Sequence, residues 1–262
     1  MDRIQAIHHE IISPKPVLLF DVRNGLIAQA VWQHFRPLQQ IFIYRNGIDG
    51  LLQEAEEIFK RKQNFIILYG KTGVGKSAIL ELLRKNNQQV LHLEEIANHR
   101  GSTFGNLKNK TQPSQESFIF QLAHQIAQYD PNRAIFVESE KYSLGKNLIP
   151  FSLLENFSNG KKVNLQLSKK ARVQRLVKDY AGINDKEIES GIEKLKFRIG
   201  PEKAEELKRE LSKKNYEFTM AGLLEYFDQS ETYQKNATLS FDLNLETKNL
   251  DTVVSQLIEK FS

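Results

Sequence analysis

The apolar positions follow two periods along the chain. Asn64–Tyr69 is one continuous apolar block rich in Ile, the pattern of a strand buried on both faces of a parallel sheet. Val90–Leu93, Ala134–Val137 and Val163–Leu167 are shorter blocks of the same kind, and Ser240–Leu245 is a further strand candidate. Between them the pattern turns helical. Lys76–Lys85 carries Ile79, Leu80, Leu82 and Leu83, and Pro113–Gln128 reads as a helix with Pro113 at its edge and Ser114 as cap. Lys169–Ala181, Lys186–Lys196, Glu202–Ser212, Tyr216–Phe227 and Leu250–Phe261 continue the helical pattern. Strands alternating with helices predict a three-layer α/β domain around a parallel sheet, with a mostly helical C-terminal part.

The first 60 residues read separately. Pro16–Phe20 and Gln40–Tyr44 are strand-like, Leu26–Phe35 is a helix between them, and Leu51–Arg61 is an amphipathic helix. We therefore expect a segment 1–60 and a domain 61–262. Arg100–Pro113 is polar and aperiodic. A connection of that length in a compact domain is expected to be functional, here a mobile cover over the adjoining site.

Composition narrows the class. The chain has 262 residues, 40% hydrophobic and 26% charged, with 14 Gly and 7 Pro, so disorder and low complexity do not describe it. It has no cysteine, which excludes disulfides, thiolate-ligated metals and any thiolate nucleophile in this sequence. Val17–Phe20, the longest apolar run near the start, is far short of the ~20 residues a spanning helix needs. Met1-Asp2-Arg3 with Glu10 lacks a signal-peptide core, so a cytoplasmic protein with no membrane partner is expected. Net charge is +5, and the excess falls in residues 61–150, with 12 basic and 7 acidic side chains. An anionic ligand is expected there.

That region holds Gly70-Lys71-Thr72-Gly73-Val74-Gly75-Lys76-Ser77, a full G-x-x-x-x-G-K-[ST] match between a buried strand and an amphipathic helix. Backbone N–H groups of the loop and the helix N-terminus would cradle phosphate oxygens. Lys76 would reach the terminal phosphates and Ser77 would ligate Mg²⁺. Glu138 and Glu140, at the end of the Ala134–Val137 strand, supply the acidic partner, with Glu138 expected beside Ser77 at the Mg²⁺. Lys161, Lys162, Lys169, Lys170, Arg172, Arg175 and Lys178 form a basic run. Arg172, Arg175 and Lys178 lie off the apolar stripe of their helix and read as a solvated face or an RNA contact. His92 is placed on a strand, and with His99 and His124 it lacks metal-ligand spacing; His8-His9 carries no signal.

The stretch from His92 to Gly105, with Glu94, Asn98-His99-Arg100-Gly101-Ser102 and Phe104, followed by Gln112-Pro113-Ser114-Gln115, resembles the tRNA 2-selenouridine synthase family. Glu138-Ser139-Glu140 with Leu144-Gly145, Arg175 with Asp179-Tyr180, Phe197–Gly200, and Leu223–Asp228 with Tyr233 look like its later landmarks. The likeness covers about residues 62–235. It implies a transferase acting on 2-thiouridine at the wobble position, with tRNA bound through its anticodon arm. Geranyl diphosphate would prenylate the thio group, and selenophosphate would then supply selenium. Lys76, Glu138, Glu140 and Arg100 would be catalytic. The loop residues Gly70 to Ser77, with Asn98, His99, Arg100, Ser102, Gln112, Ser114 and Gln115, would bind the ligand.

The family carries a rhodanese domain ahead of this region. Leu18–Arg23 and Ile41–Gly50 resemble parts of it, with Ile43 in the place of the Cys and Asp49 in that of a basic residue. The resemblance therefore implies a truncated rhodanese-like segment, with selenation depending on a separate Cys-bearing rhodanese protein. Two other readings stay open: a nucleoside-kinase-type phosphotransferase with ATP on the loop, and a non-catalytic tRNA-binding remnant or subunit of a split synthase.

Overall fold

The computed structural model describes residues 17–19, 26–35, 41–43, 47–99, 111–140, 142–180, 185–229 and 239–262. The chain divides into two compact units, Met1–Ile58 and Phe59–Ser262. In the first, strands β1 (Val17–Leu19) and β2 (Ile41–Ile43) pair in parallel, with helix α1 (Leu26–Phe35) between them in sequence. Helix α2 (Gly47–Lys60) follows. It starts four residues before the expected Leu51, so Asp49 sits in a first helical turn rather than in a loop. A carboxylate there complements the helix dipole.

The second unit is built on five strands: β3 (Phe65–Tyr69), β4 (Gln89–Leu91), β5 (Ile135–Glu138), β8 (Lys161–Gln166) and β9 (Leu243–Glu246). The short hairpin strands β6 (Ser143–Leu144) and β7 (Asn147–Leu148) form a separate antiparallel pair. All neighbours in the large sheet are parallel, in the order β4-β5-β3-β8-β9. The Ile-rich block is thus the central strand, with Ala134–Val137 beside it as expected. The helices of this unit are α3 (Lys76–Lys85), α4 (Leu93–Ile96), α5 (Gln115–Ala127), α6 (Phe151–Asn159), α7 (Lys169–Tyr180), α8 (Asp185–Ile199), α9 (Pro201–Ser212), α10 (Tyr216–Asp228) and α11 (Leu250–Phe261).

The alternation of side chains along each strand divides the sheet into two faces. Ile66, Leu68, Val163, Leu165 and Leu245 point to one face and form a core with Ile79, Leu80 and Leu83 of α3 and Val253, Val254 and Leu257 of α11. Burying each such side chain contributes about 1.5–3 kcal/mol before entropy is counted. On the other face Phe65 meets Phe157 of α6 edge to face, with ring centroids 4.8 Å apart. A second core joins α7 to α10 through Val173, Leu176, Ile188, Ile192, Leu195, Leu207, Leu223 and Leu224. Short polar side chains cap the N-termini of α5, α10 and α11. Ser114 accepts from Ser117 N at 3.2 Å, as its sequence position suggested, and Asn215 and Asn249 do the same for α10 and α11.

The boundaries differ from expectation in places. The strand read as Val90–Leu93 ends at Leu91, so His92 caps α4 rather than standing on a strand. Helix α6 and the β6–β7 hairpin were not foreseen. Gly145, at φ 59, turns the hairpin under Gln112, where a Cβ would overlap the Gln112 amide.

Candidate functional site

Strand β3 delivers the loop Gly70–Ser77 to the carboxyl edge of the sheet, and α3 begins at Lys76. The loop's shape depends on its glycines at two points. Gly75 has φ 96, and a Cβ there would lie 2.6 Å from Arg175 Nη1. A Cβ on Gly70 would lie 2.7 Å from the Leu165 carbonyl oxygen. Val74 is buried and anchors the turn, with its N–H donating to Lys71 O at 3.2 Å. Lys76 Nζ donates to Gly70 O at 2.9 Å, so its ammonium is held across the mouth of the loop. The first-turn N–H groups of α3 open onto the same space.

Two arginines brace the loop from behind. Arg172 of α7 is 3% exposed. Its guanidinium grips Asp228 with two prongs, Nη1 to Oδ1 at 2.9 Å and Nη2 to Oδ2 at 2.6 Å, and Nη1 also donates to Thr72 O at 3.1 Å. Lys71 Nζ lies 3.5 Å from Asp228 Oδ2. One turn on, Arg175 donates to Val74 O through Nη1 and to Thr247 O through Nη2 at 2.7 Å. The solvated-face reading of Arg172 and Arg175 is therefore corrected: both turn inward, because loop carbonyls and the partly buried Asp228 carboxylate supply acceptors that water would otherwise provide. Nor is the basic run a single free patch, since Lys161 pairs with Asp242 at 3.2 Å and Lys169 with Glu225 at 2.7 Å.

On the β5 side stands an acidic cluster. Glu138, 2% exposed, closes β5 with Ser77 and Lys76 among the groups that act on its carboxyl. Glu94, Glu138 and Glu140 each bring a carboxylate oxygen within 4.8 Å of the others. Burial, then the charges of Glu94 and Glu140, push the Glu138 carboxyl well above the usual carboxylate range; Lys76 and the Ser77 hydrogen bond pull the other way. Its Oε1 is buried with no hydrogen-bond partner among the described residues. Hard oxygen donors around an unpartnered carboxylate oxygen fit a Mg²⁺-type cation, which would supply the missing partner. Glu94 was read from sequence only as part of the family motif and not as a site residue, although it sits in the first turn of α4, close after β4, and so at the same edge as Glu138.

The other expected residues are placed differently. Asn98, at φ 48, donates from Nδ2 to Thr111 O at 3.2 Å. His99 Nδ1 is buried without a partner among the described residues, and burial lowers the His99 pKa. Gln112 donates to Ala97 O at 3.1 Å and Leu144 O at 2.9 Å, and accepts from Lys146 N at 3.1 Å. Gln115 exchanges two 2.8 Å bonds with Leu148. The Gln112–Gln115 stretch thus clamps the β6–β7 hairpin. Arg100, Ser102 and most of the expected cover lie outside the described residues, as does Tyr233. No helix among the described residues is long and apolar enough to cross a membrane.

A parallel sheet whose central strand feeds a glycine loop and a helix, with a buried carboxylate at the end of the neighbouring strand, defines a P-loop α/β protein. A family model for the AAA domain of tRNA 2-selenouridine synthase matches residues 63–238, and the chain belongs to that family. A tRNA 2-selenouridine synthase of Shewanella denitrificans is 34% identical over 205 residues, covering 76% of this chain and 53% of that protein. One of Verminephrobacter eiseniae is 35% identical over 170 residues, covering 62% and 45%. The chain thus spans about half the length of these named relatives. An uncharacterized protein of Methanocaldococcus jannaschii is 31% identical over 214 residues, covering 76% of this chain and 93% of that one. Among solved structures, deoxyadenosine kinase from M. mycoides aligns with 75% of this chain at 16% identity and a TM-score of 0.33.

Proposed function

We propose that the chain is the prenyl-transferring part of a tRNA-modifying transferase that acts on wobble 2-thiouridine. The family match over residues 63–238 carries the reading. The geometry supports it, because the loop is built for an anionic leaving group. The sulfur of the tRNA base attacks C1 of geranyl diphosphate. The C1–O bond breaks, its electron pair leaves with the diphosphate, and the N3–H proton of the base passes to solvent. Lys76 Nζ and the N–H groups of the loop and the start of α3 receive that developing charge in a fixed cradle. Ser77 and Glu138, with Glu94 and Glu140 beside them, would hold a Mg²⁺ ion, which when bound neutralises diphosphate oxygens. Arg172 and Arg175 act on the loop carbonyls and keep the cradle in shape.

Selenium-for-sulfur exchange, with selenophosphate as donor, completes the family's reaction and needs a thiolate that this sequence lacks. We assign that group to a separate Cys-bearing rhodanese protein. Incubation with wobble-thiolated tRNA, geranyl diphosphate and Mg²⁺, followed by nucleoside mass spectrometry, tests the proposal. S-geranyl-2-thiouridine is expected. Its absence with folded, tRNA-binding protein would refute the transferase reading.

A further inference from the structure

A cavity of about 510 Å³ opens on the opposite side of the loop from the acidic cluster, at the carboxyl ends of β3 and β8. Its walls include Gly70 and Lys71 of the loop, so it is continuous with the phosphate cradle. In register, Tyr69 pairs with Asn164 and Asn164 with Asn244, which places these side chains on one face of the sheet; Gln166 is two residues on and shares it. The same strands bury Val163, Leu165 and Leu245 on the opposite face. Sheets of this class are ordinarily covered on both faces. Here, among the described residues, the half-face over β8 and β9 is polar: Asn164 and Tyr69 are half-buried, and Gln166 and Asn244 are exposed. The cavity also lies where the chain order reverses, with β4 and β5 on one side of β3 and β8 and β9 on the other. Ligands of open α/β sheets bind at such a point.

The lining chemistry selects the ligand class. Tyr69 and Phe241 meet edge to face at 5.5 Å between ring centroids and wall one side. Asn164 and Gln166 supply amides, and the Asn164 side chain donates from Nδ2 to Asn244 Oδ1 at 2.9 Å. Aromatic faces with amide donors and acceptors read a flat heteroaromatic ring by stacking and edge hydrogen bonds. A purely hydrocarbon ligand would match Leu167 and Leu239 of the lining but would cover the half-buried Asn164 amide without using its remaining hydrogen-bonding capacity. A phosphate would find little free charge, since Arg172 is already committed to Asp228.

We infer that this cavity binds a nucleobase, held beside the phosphate group on Gly70–Ser77. Resting on the transferase reading, the base is that of the tRNA nucleoside undergoing modification, extruded from the anticodon loop. A nucleoside triphosphate on the loop would present the same chemistry.

The test uses the full chain and two matched pairs of probes. An anticodon stem-loop RNA with 2-thiouridine at the wobble position is compared with one abasic there, and ATP is compared with inorganic triphosphate. Wild type should prefer the base-bearing member of at least one pair by about 10-fold, the range of one stacked base. Asn164→Leu and Phe241→Leu should lose most of that preference while binding inorganic diphosphate as wild type does. The pair that responds identifies the source of the base. Gln166→Ala, a change at an exposed side chain, should weaken the same preference and decides the matter if the other variants fold poorly. The inference is overturned by an undiminished preference in folded variants, by no preference in wild type for either pair, or by variants that weaken only a prenyl diphosphate. Undiminished preference alongside intact geranylation counts against the cavity alone; absent geranylation alongside a preference that the variants abolish counts against the transferase reading alone.

Discussion

Arg172 and Asp228 are 56 positions apart in the chain and meet through two parallel hydrogen bonds of 2.9 and 2.6 Å behind the glycine loop. The same guanidinium holds Thr72 O, so one buried ion pair ties the helical part to the phosphate cradle. Asp228→Asn should therefore do two things. Leaving a buried charge without its partner costs about 3–5 kcal/mol, read as a lower urea midpoint. Diphosphate affinity should also fall, because Thr72 O loses a fixed donor. Arg172→Lys keeps the charge but not the fork and should lose diphosphate affinity as well. Unchanged affinity in both variants would show that the brace is only structural.

Lys76 is the residue whose charge faces the ligand directly. Removing a charge-assisted hydrogen bond of about 1.5–3 kcal/mol should weaken diphosphate binding about 10- to 100-fold in Lys76→Ala, with little change in melting temperature. Calorimetry with inorganic diphosphate gives the number.

The acidic cluster predicts a linkage to divalent cation. A cation at 100 times its Kd stabilises a protein by about 2.7 kcal/mol, which is about 5–10 °C for a unit of this size. Mg²⁺ should raise the wild-type melting temperature by that order. Glu138→Gln should abolish the rise, and Glu94→Gln should reduce it. A full Mg²⁺ effect in Glu138→Gln would remove Glu138 from the cation site.

His92 sets a pH dependence of opposite origin. Its Nε2 is buried without a partner among the described residues, and burial, with the nearby Arg84 charge, lowers its pKa below the ordinary 6.5. The folded state thus resists protonation more than the unfolded state does. The stability this contributes is present in full above pH 6.5 and is lost as pH falls from there through the folded pKa. His92→Gln should flatten that part of the melting-temperature profile between pH 7.5 and 5.5. A profile as steep as the wild type's would place the titration elsewhere.

Much of this arrangement was legible in the residues, for identifiable reasons. Asn64–Tyr69 could be read as the central strand because a continuous Ile-rich block has no exposed face, and the loop after it has a fixed spacing. Helix α6 and the β6–β7 hairpin escaped because nine- and two-residue elements are too short to establish a period. Arg172 and Arg175 were misread for a different reason. Periodicity assigns a long polar side chain to a helix face, but its acceptors, Thr72 O and Val74 O, lie about a hundred positions away. Glu94 was visible only as part of a motif. Its closeness to Glu138 depends on β4 and β5 being neighbours, which is a property of strand order rather than of local sequence.

The most direct test of the account is diphosphate release measured during turnover with geranyl diphosphate and Mg²⁺. The sulfur of the wobble base is the attacking group, so release should require thiolated tRNA. It should match the S-geranylated nucleoside one for one and vanish in Lys76→Ala. Equal release with tRNA carrying oxygen at that position, or phosphoryl transfer from ATP in its place, would contradict it.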